Sequence, residues 1–189
     1  MFSRIGASSI KIDSKYKINL DGDLLKISLN NKVYDYQIDK KLSCELDSQD
    51  SSLRFVPNLE KIRNKSDQRK VKKIAGFHVR DLQNLLTGLS TPFKANIDII
   101  GTGYKVVYNK QMNMLTFSLG YSHDIIVSVP SDIVVEVNQN KLALSSFSKK
   151  MLGAFSSYLC LSLRKFDKFK GKGVILVGKY MQRKELKKK

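Results

Sequence analysis

One pattern occurs twice in this chain, and it constrains the fold more than any other feature. LLKISL at 24–29 is answered by MLTFSL at 114–119, and VYDYQI at 33–38 by IIVSV at 125–129. LSCEL (42–46) and LRFV (53–56) are answered by IVVEV (133–137) and LAL (142–144), and an apolar stripe at 74–89 by another at 151–163. Short runs that alternate apolar and polar residues are half-buried strands, because successive side chains point to opposite faces. Apolar residues three and four apart form one face of a helix. A set of strands closed by one helix, met twice, predicts an α+β chain of two duplicated small domains. Each is expected to be an antiparallel sheet packed with one helix. The boundaries fall at 1–90 and 93–165, with a short link near Ser90 to Phe93, and a basic C-terminal extension occupies 166–189.

In chain order, SSIKI (8–12) and YKINL (16–20) read as strands, Asp21-Gly22-Asp23 as a turn, and LLKISL and VYDYQI as a hairpin around Asn30-Asn31. LSCEL and LRFV pair around the polar loop DSQDSS, so the first half reads as one antiparallel meander closed by Pro57. Residues 61–73 hold seven Lys or Arg and one Asp. That run is either an exposed loop leading into a solvated helix face or a direct anion contact. The helical pattern begins at Ile74, with Val79, Leu82, Leu85, Leu86 and Leu89 on its stripe, and Gly88 followed by Ser90-Thr91-Pro92 is expected to stop it. In the second half, strands are predicted at 94–100, 104–108, 115–119, 125–129, 133–137 and 142–144, with Gly101-Thr102-Gly103 as a bend. Ser146 to Ser148 offers N-caps to a helix carrying Met151, Leu152, Phe155, Tyr158, Leu159 and Ser162 and reaching about Arg164.

Charge narrows the function. The formal net charge is +17 over 189 residues. Residues 164–189 carry eleven Lys or Arg against two acids, roughly half of that excess. Charge so concentrated suits a polyanion, either nucleic acid or an anionic membrane surface. Gly171 and Gly173 alternate with Lys170 and Lys172, a pattern read as backbone that comes close to an anion with point charges beside it. Phe166, Phe169 and Tyr180 flank the run and either stack on bases or anchor the segment to its own domain. Val174 to Val177 reads as a short buried strand, and the chain is expected to be folded to about Tyr180 and loose beyond it. Residues 182–189 read as a solubilising end or an interaction arm. The glycines and the scarcity of large apolar residues past Tyr180 disfavour an interfacial lipid helix.

Catalytic signals are weak. Gly101-Thr102-Gly103 leads into a strand and lacks a Lys-Ser/Thr ending, so a strand bend is preferred to a phosphate loop. His123-Asp124 has no nucleophile, and adjacent residues on an extended chain point apart, which leaves a loop histidine. His78 has no metal-binding partner at i±4 and is expected to be partly exposed on its helix. Cys44 and Cys160 lack ligand spacing and read as reduced core or near-core thiols in a reducing compartment. No run approaches a membrane span. The opening MFSRIGASSIKID lacks the apolar core of a signal peptide and a long amphipathic presequence, so the protein is expected to work where it is made unless a presequence has been removed. No enzyme, metal or cofactor is implied.

KFKGKGV at 168–174 followed by GKYMQRKELKKK at 178–189 resembles the C-terminal signature of the bacterial-type large-subunit ribosomal protein six family. GTGYKV at 101–106, LGYSHDIIVSVP at 119–130 and the opening SRIG at 3–6 also resemble that family, and the motifs fall in its order. The resemblance is strongest over 94–189. It departs at Phe169, where a tyrosine is usual, at Ile175-Leu176, where Arg-Tyr is usual, and at Phe166-Asp167, where a proline is usual. The resemblance implies a structural constituent of the large ribosomal subunit that binds rRNA near the sarcin–ricin loop, at the base of the factor-binding stalk. It implies large-subunit rRNA and neighbouring ribosomal proteins as partners, with no membrane, no small-molecule substrate and no homo-oligomer. The residues expected to meet rRNA are Lys168, Lys170, Gly171, Lys172, Gly173, Lys179, Arg183, Lys184 and Lys187. Abundant Lys, Asn, Ile and Ser suggest an AT-rich coding genome, and with the divergence resemble an organelle-encoded, mitochondrial version; a bacterial or plastid ribosome is the alternative. A free RNA-binding or RNA-chaperone module is the rival reading.

Overall fold

The computed structural model describes residues 5–29, 32–47, 51–58 and 65–184, and divides into two compact units, Met1–Leu86 and Thr87–Lys189. The first holds β1 (Ile10–Lys11), β2 (Lys17–Asp21), β3 (Leu24–Leu29), β4 (Lys32–Gln37), β5 (Leu42–Asp47) and β6 (Ser52–Pro57). Helix α1 (Lys65–Ser90) follows and runs across the division.

The single meander expected for the first half is two sheets. β2, β3 and β4 form one, and β1-β6-β5 the other, all antiparallel. A turn at Asp39, whose carboxylate accepts from Lys41 N–H (3.0 Å) and whose carbonyl accepts from Leu42 N–H (2.9 Å), separates β4 from β5. The free edge of β6 then takes β1, with buried Ile10 opposite buried Leu53. The strand predicted at 8–12 shortens to that two-residue pairing.

Helix α1 begins at Lys65, nine residues before the predicted start at Ile74. Part of the basic run at 61–73 is therefore helix, and residues 61–64 lie outside the described residues. The buried face is Val71, Ala75, His78, Val79, Leu82 and Leu86, whereas Ile74, Leu85 and Leu89 are only half-buried. Val71 and Ala75 were hidden in the sequence because charged neighbours surround the one and the other carries little hydrophobic signal. Gly88 lies inside the helix and does not stop it. A Cβ there would sit 1.9 Å from the Phe147 carbonyl oxygen, so the residue answers to a close approach.

His78 is buried, not partly exposed. Its Nδ1 lies 2.7 Å from the Tyr36 hydroxyl, which reaches Asp81 Oδ2 at 3.3 Å, and its ring meets those of Phe55 and Phe77. An ionised carboxylate only accepts, so a Tyr36 hydrogen given to Asp81 makes His78 the Nδ1–H tautomer, donating to the Tyr36 oxygen. Burial holds the imidazole below its ordinary 6.5, with Asp39 and Asp81 pulling the other way.

The second unit repeats the plan. β7 (Phe93–Ile100), β8 (Lys105–Asn109), β9 (Met114–Ser118), β10 (Ile125–Ser128), β11 (Val134–Asn138) and β12 (Lys141–Ser146) precede α2 (Lys149–Ser162) and β13 (Gly173–Leu176). β8, β9 and β10 form a meander, and the second sheet runs β11-β12-β7-β13, all antiparallel. In each unit the first strand pairs with the sixth, and three intervening strands form their own sheet. The protein is thus α+β with duplicated sheet domains. β13 is the addition that distinguishes the second.

Leu115, Phe117, Leu119 and Leu159 are fully buried, with Ile97, Leu142 and Leu144 nearly so. Each contributes about 1.5–3 kcal/mol over an exposed reference. Ser148 caps α2 by accepting from Met151 N–H at 3.4 Å. Leu152, Phe155, Ser156 and Leu159 face inward, while Met151 and Tyr158 of the predicted stripe are exposed. The helix stops at Ser162, short of Arg164.

Candidate nucleic-acid interface

Beyond α2 the chain closes a tight loop over residues 165–173. Lys165 and Val174 form a parallel bridge, and Val174 N–H donates to the Arg164 carbonyl at 3.0 Å. Asp167 organises the interior. Its N–H donates to the Lys172 carbonyl (2.8 Å), its carbonyl accepts from Gly171 N–H (2.9 Å), and its carboxylate accepts from Phe169 N–H (2.9 Å). Short polar side chains bonded two residues ahead favour such turns. With these backbone groups satisfied internally, Lys168, Phe169, Lys170 and Lys172 are left exposed.

The two glycines correct the sequence reading. Both are buried, and Gly171 spends its N–H on Asp167, so neither offers backbone to an anion. Gly173 has φ +136°, and a Cβ there would lie 2.7 Å from the Lys165 oxygen and from Phe166 Cα. Gly171 has φ +69° and lies against Arg183, whose guanidinium carbon would be 3.3 Å from an added Cβ. The glycines close the loop, and the lysines face outward together with Phe169.

After β13, Val177 N–H donates to the Asn96 carbonyl (2.8 Å) and Lys179 N–H to the Leu176 carbonyl (3.2 Å). The chain then returns, with Lys184 N–H on the Lys168 carbonyl at 3.1 Å. The segment expected to be loose past Tyr180 is therefore placed through Lys184. Lys168, Lys170, Lys172, Arg183 and Lys184 gather around one loop. Lys179 lines a neighbouring cleft of about 320 Å³ between α2 and β13, with Cys160, Leu161, Phe166 and Met181. Lys187 lies outside the described residues.

The bend at 101–103 belongs to the same region. Lys172 Nζ donates to Thr102 Oγ1 at 2.9 Å. Tyr104 is buried behind that bend, and the Arg164 guanidinium lies over its ring at 5.6 Å. The same guanidinium lies 5.3 Å from the Tyr121 ring and donates to the Leu119 carbonyl at 2.8 Å. Tyr121 in turn stacks with His123, centroids 6.5 Å apart and 25° between planes. The 101–106, 119–130 and 168–174 motifs, separate in sequence, thus converge. Sequence reasoning missed that Arg164, Thr102 and Tyr121 come together in this region. Arg164 read as a helix end, and only the turns of the fold bring it beneath two tyrosines.

Asp124 accepts from Ser118 Oγ at 2.7 Å, so the carboxylate beside His123 has its own partner. Among the described residues no group of three His, Cys, Asp or Glu side chains gathers to hold a metal, and no helix is long and apolar enough to cross a membrane. Cys44 and Cys160 are free and half-buried. Burial, then Glu45, pushes the Cys44 thiol up to about 12; burial also raises Cys160, against the opposing charge of Lys179.

No family model matches the chain. Individual proteins do. The chain is 28% identical over 187 residues to large ribosomal subunit protein uL6 of Thermosipho africanus, covering 98% of this chain and 99% of that protein. It is 32% identical over 145 residues to the protein of the same name from Thermotoga neapolitana, covering 76% and 77%. With that of Thermotoga maritima it is 34% identical over 133 residues, covering 70% and 71%. The two-unit architecture, the converging motifs and these likenesses lead to one conclusion: the chain belongs to the large ribosomal subunit protein uL6 family.

Proposed function

We propose that this protein is a structural, non-catalytic constituent of the large ribosomal subunit and binds its rRNA through the cations gathered around the 165–173 loop. The observation that carries this reading is the loop itself. Asp167 ties its backbone from within and its glycines are buried, while Lys168, Lys170, Lys172, Arg183 and Lys184 stand exposed around it. Lys179 extends the positive surface beside the cleft, and Lys187 would add to it. Such contacts fix position more than they read sequence, so the RNA is recognised by folded shape and phosphate spacing. From the family resemblance of the C-terminal signature we take the contact to lie near the sarcin–ricin loop, at the base of the factor-binding stalk. Residues 1–90 and 93–165 then serve as scaffold, and 166–189 as the rRNA-binding extension. The named relatives are bacterial, which supports a bacterial-type ribosome; a mitochondrial one rests on compositional bias and divergence.

Native extract on a sucrose gradient, before and after a high-salt wash, tests the assignment. Co-migration with the large subunit through the wash is expected. Free migration would favour a transient RNA-binding or RNA-chaperone module. At the site, replacing Lys170 and Lys172 together by Ala is expected to weaken rRNA binding with the fold intact. Unchanged affinity at moderate salt would overturn the site.

A further inference from the structure

We infer that Tyr121 and His123, backed by Arg164 and Tyr104, form a stacking site for an unpaired base of RNA. The inference rests on the RNA-binding reading above and adds to it a site that contacts bases, where the lysine cluster contacts phosphates. Four side chains stand in series. Tyr104 is buried, Arg164 lies over it and over Tyr121, and Tyr121 stacks with His123. The inner end is rigid. Arg164 is tied to the Leu119 carbonyl, and Gly120, at φ +72°, lets it pass where a Cβ would sit 3.3 Å from Nη1 and 3.4 Å from the Tyr104 ring. The outer end is open, with Tyr121 49% exposed and His123 exposed.

A large aromatic ring left half in water yet fixed from beneath by a cation is organised before any ligand arrives. Binding then costs little side-chain ordering. A guanidinium across a tyrosine ring supports the ring's position and supplies positive charge near a base. Such platforms accept any base, because every base has a π-face. The position also suits RNA. Lys172 meets Thr102 in the bend that precedes Tyr104, so a phosphate cation joins the same set of turns as the ladder.

The test uses the whole chain and two single-stranded decamers of equal charge: oligoadenylate, and an abasic ribose-phosphate decamer. Wild-type protein is expected to bind the base-bearing strand about tenfold or more tighter than the abasic one. Tyr121→Leu, which keeps apolar bulk without a π-face, is expected to bring that ratio close to one and leave abasic binding unchanged. Tyr121→Phe is expected to keep the ratio, and it serves as the informative variant if the leucine chain unfolds: loss of the ratio there would overturn the proposal. A wild-type ratio of one, or a ratio untouched in Tyr121→Leu, would overturn it as well. The Lys170/Lys172 double alanine separates the two readings. It is expected to weaken both decamers equally, and its failure to do so would count against the phosphate site and not against the ladder.

Discussion

Gly173 shows how one residue decides the shape of the loop that presents the lysines. Its φ of +136° and the 2.7 Å approach of Lys165 and Phe166 leave no room for a side chain. Gly173→Ala is expected to cost about 1–3 kcal/mol and to lower the urea midpoint. RNA affinity should fall with it, because the loop that carries the lysines loses its closure. His78 makes a second expectation, this one about pH. Its folded-state value is depressed below 6.5, so the unfolded chain takes up the proton first. The neutral imidazole's contribution is full above about 6.5 and is lost as pH falls through the folded-state value. Tyr36, Asp39 and Asp81 are the titratable groups that face it. Urea midpoints measured from pH 7 to pH 5 should therefore decline, and His78→Phe should flatten the decline. At this scale the exposed charge run was legible in the sequence, since like charges are visible by counting. Arg164 was not. Its role depends on Tyr104 and Tyr121, 60 and 43 positions upstream, and on the absence of a side chain at Gly120.

Two helical glycines separate propensity from packing at the scale of the element. Gly153 in α2 is exposed, and a Cβ there would meet nothing within 4 Å. Gly153→Ala should stabilise the protein by about 0.5–1 kcal/mol, the ordinary helix preference. Gly88 in α1 should respond in the opposite direction, because the Phe147 carbonyl occupies the space. Thermal or urea unfolding of the two variants reads both signs. The strands were legible to within a residue or two wherever alternation was strong, as at Leu25 and Ile27 on β3. Their pairing was less so. Which strand lies beside β6 depends on the free edge it offers to Ile10, a contact 43 residues distant that alternation does not encode. The start of α1 was hidden for a different reason. Lys65 to Lys73 holds few apolar residues, so a face read from hydrophobic spacing begins too late, although Val71 already packs inward.

For the whole molecule the controlling quantity is charge. If Lys168, Lys170, Lys172, Lys179, Arg183 and Lys184 each neutralise a phosphate of a duplex, the log–log salt slope of binding should be about −5. Removing Lys170 and Lys172 should bring it to about −3.5, measured by titration over a range of salt concentrations. The duplication was visible in the sequence because order and spacing survive where residue identity does not. What it did not foretell is the asymmetry that β13 brings. Val174 is buried in the core of the second unit, and its strand covers the flank of β7 that β12 leaves open. The ribosome synthesising this protein therefore extrudes β7 roughly seventy residues before the strand that shields it. A nascent chain halted before Gly173 would present β7 as a bare template for pairing with other chains. It would also lack Lys179, Arg183 and Lys184, half of the six cations proposed to meet RNA, so prematurely terminated products should pair with other chains readily and bind RNA more weakly.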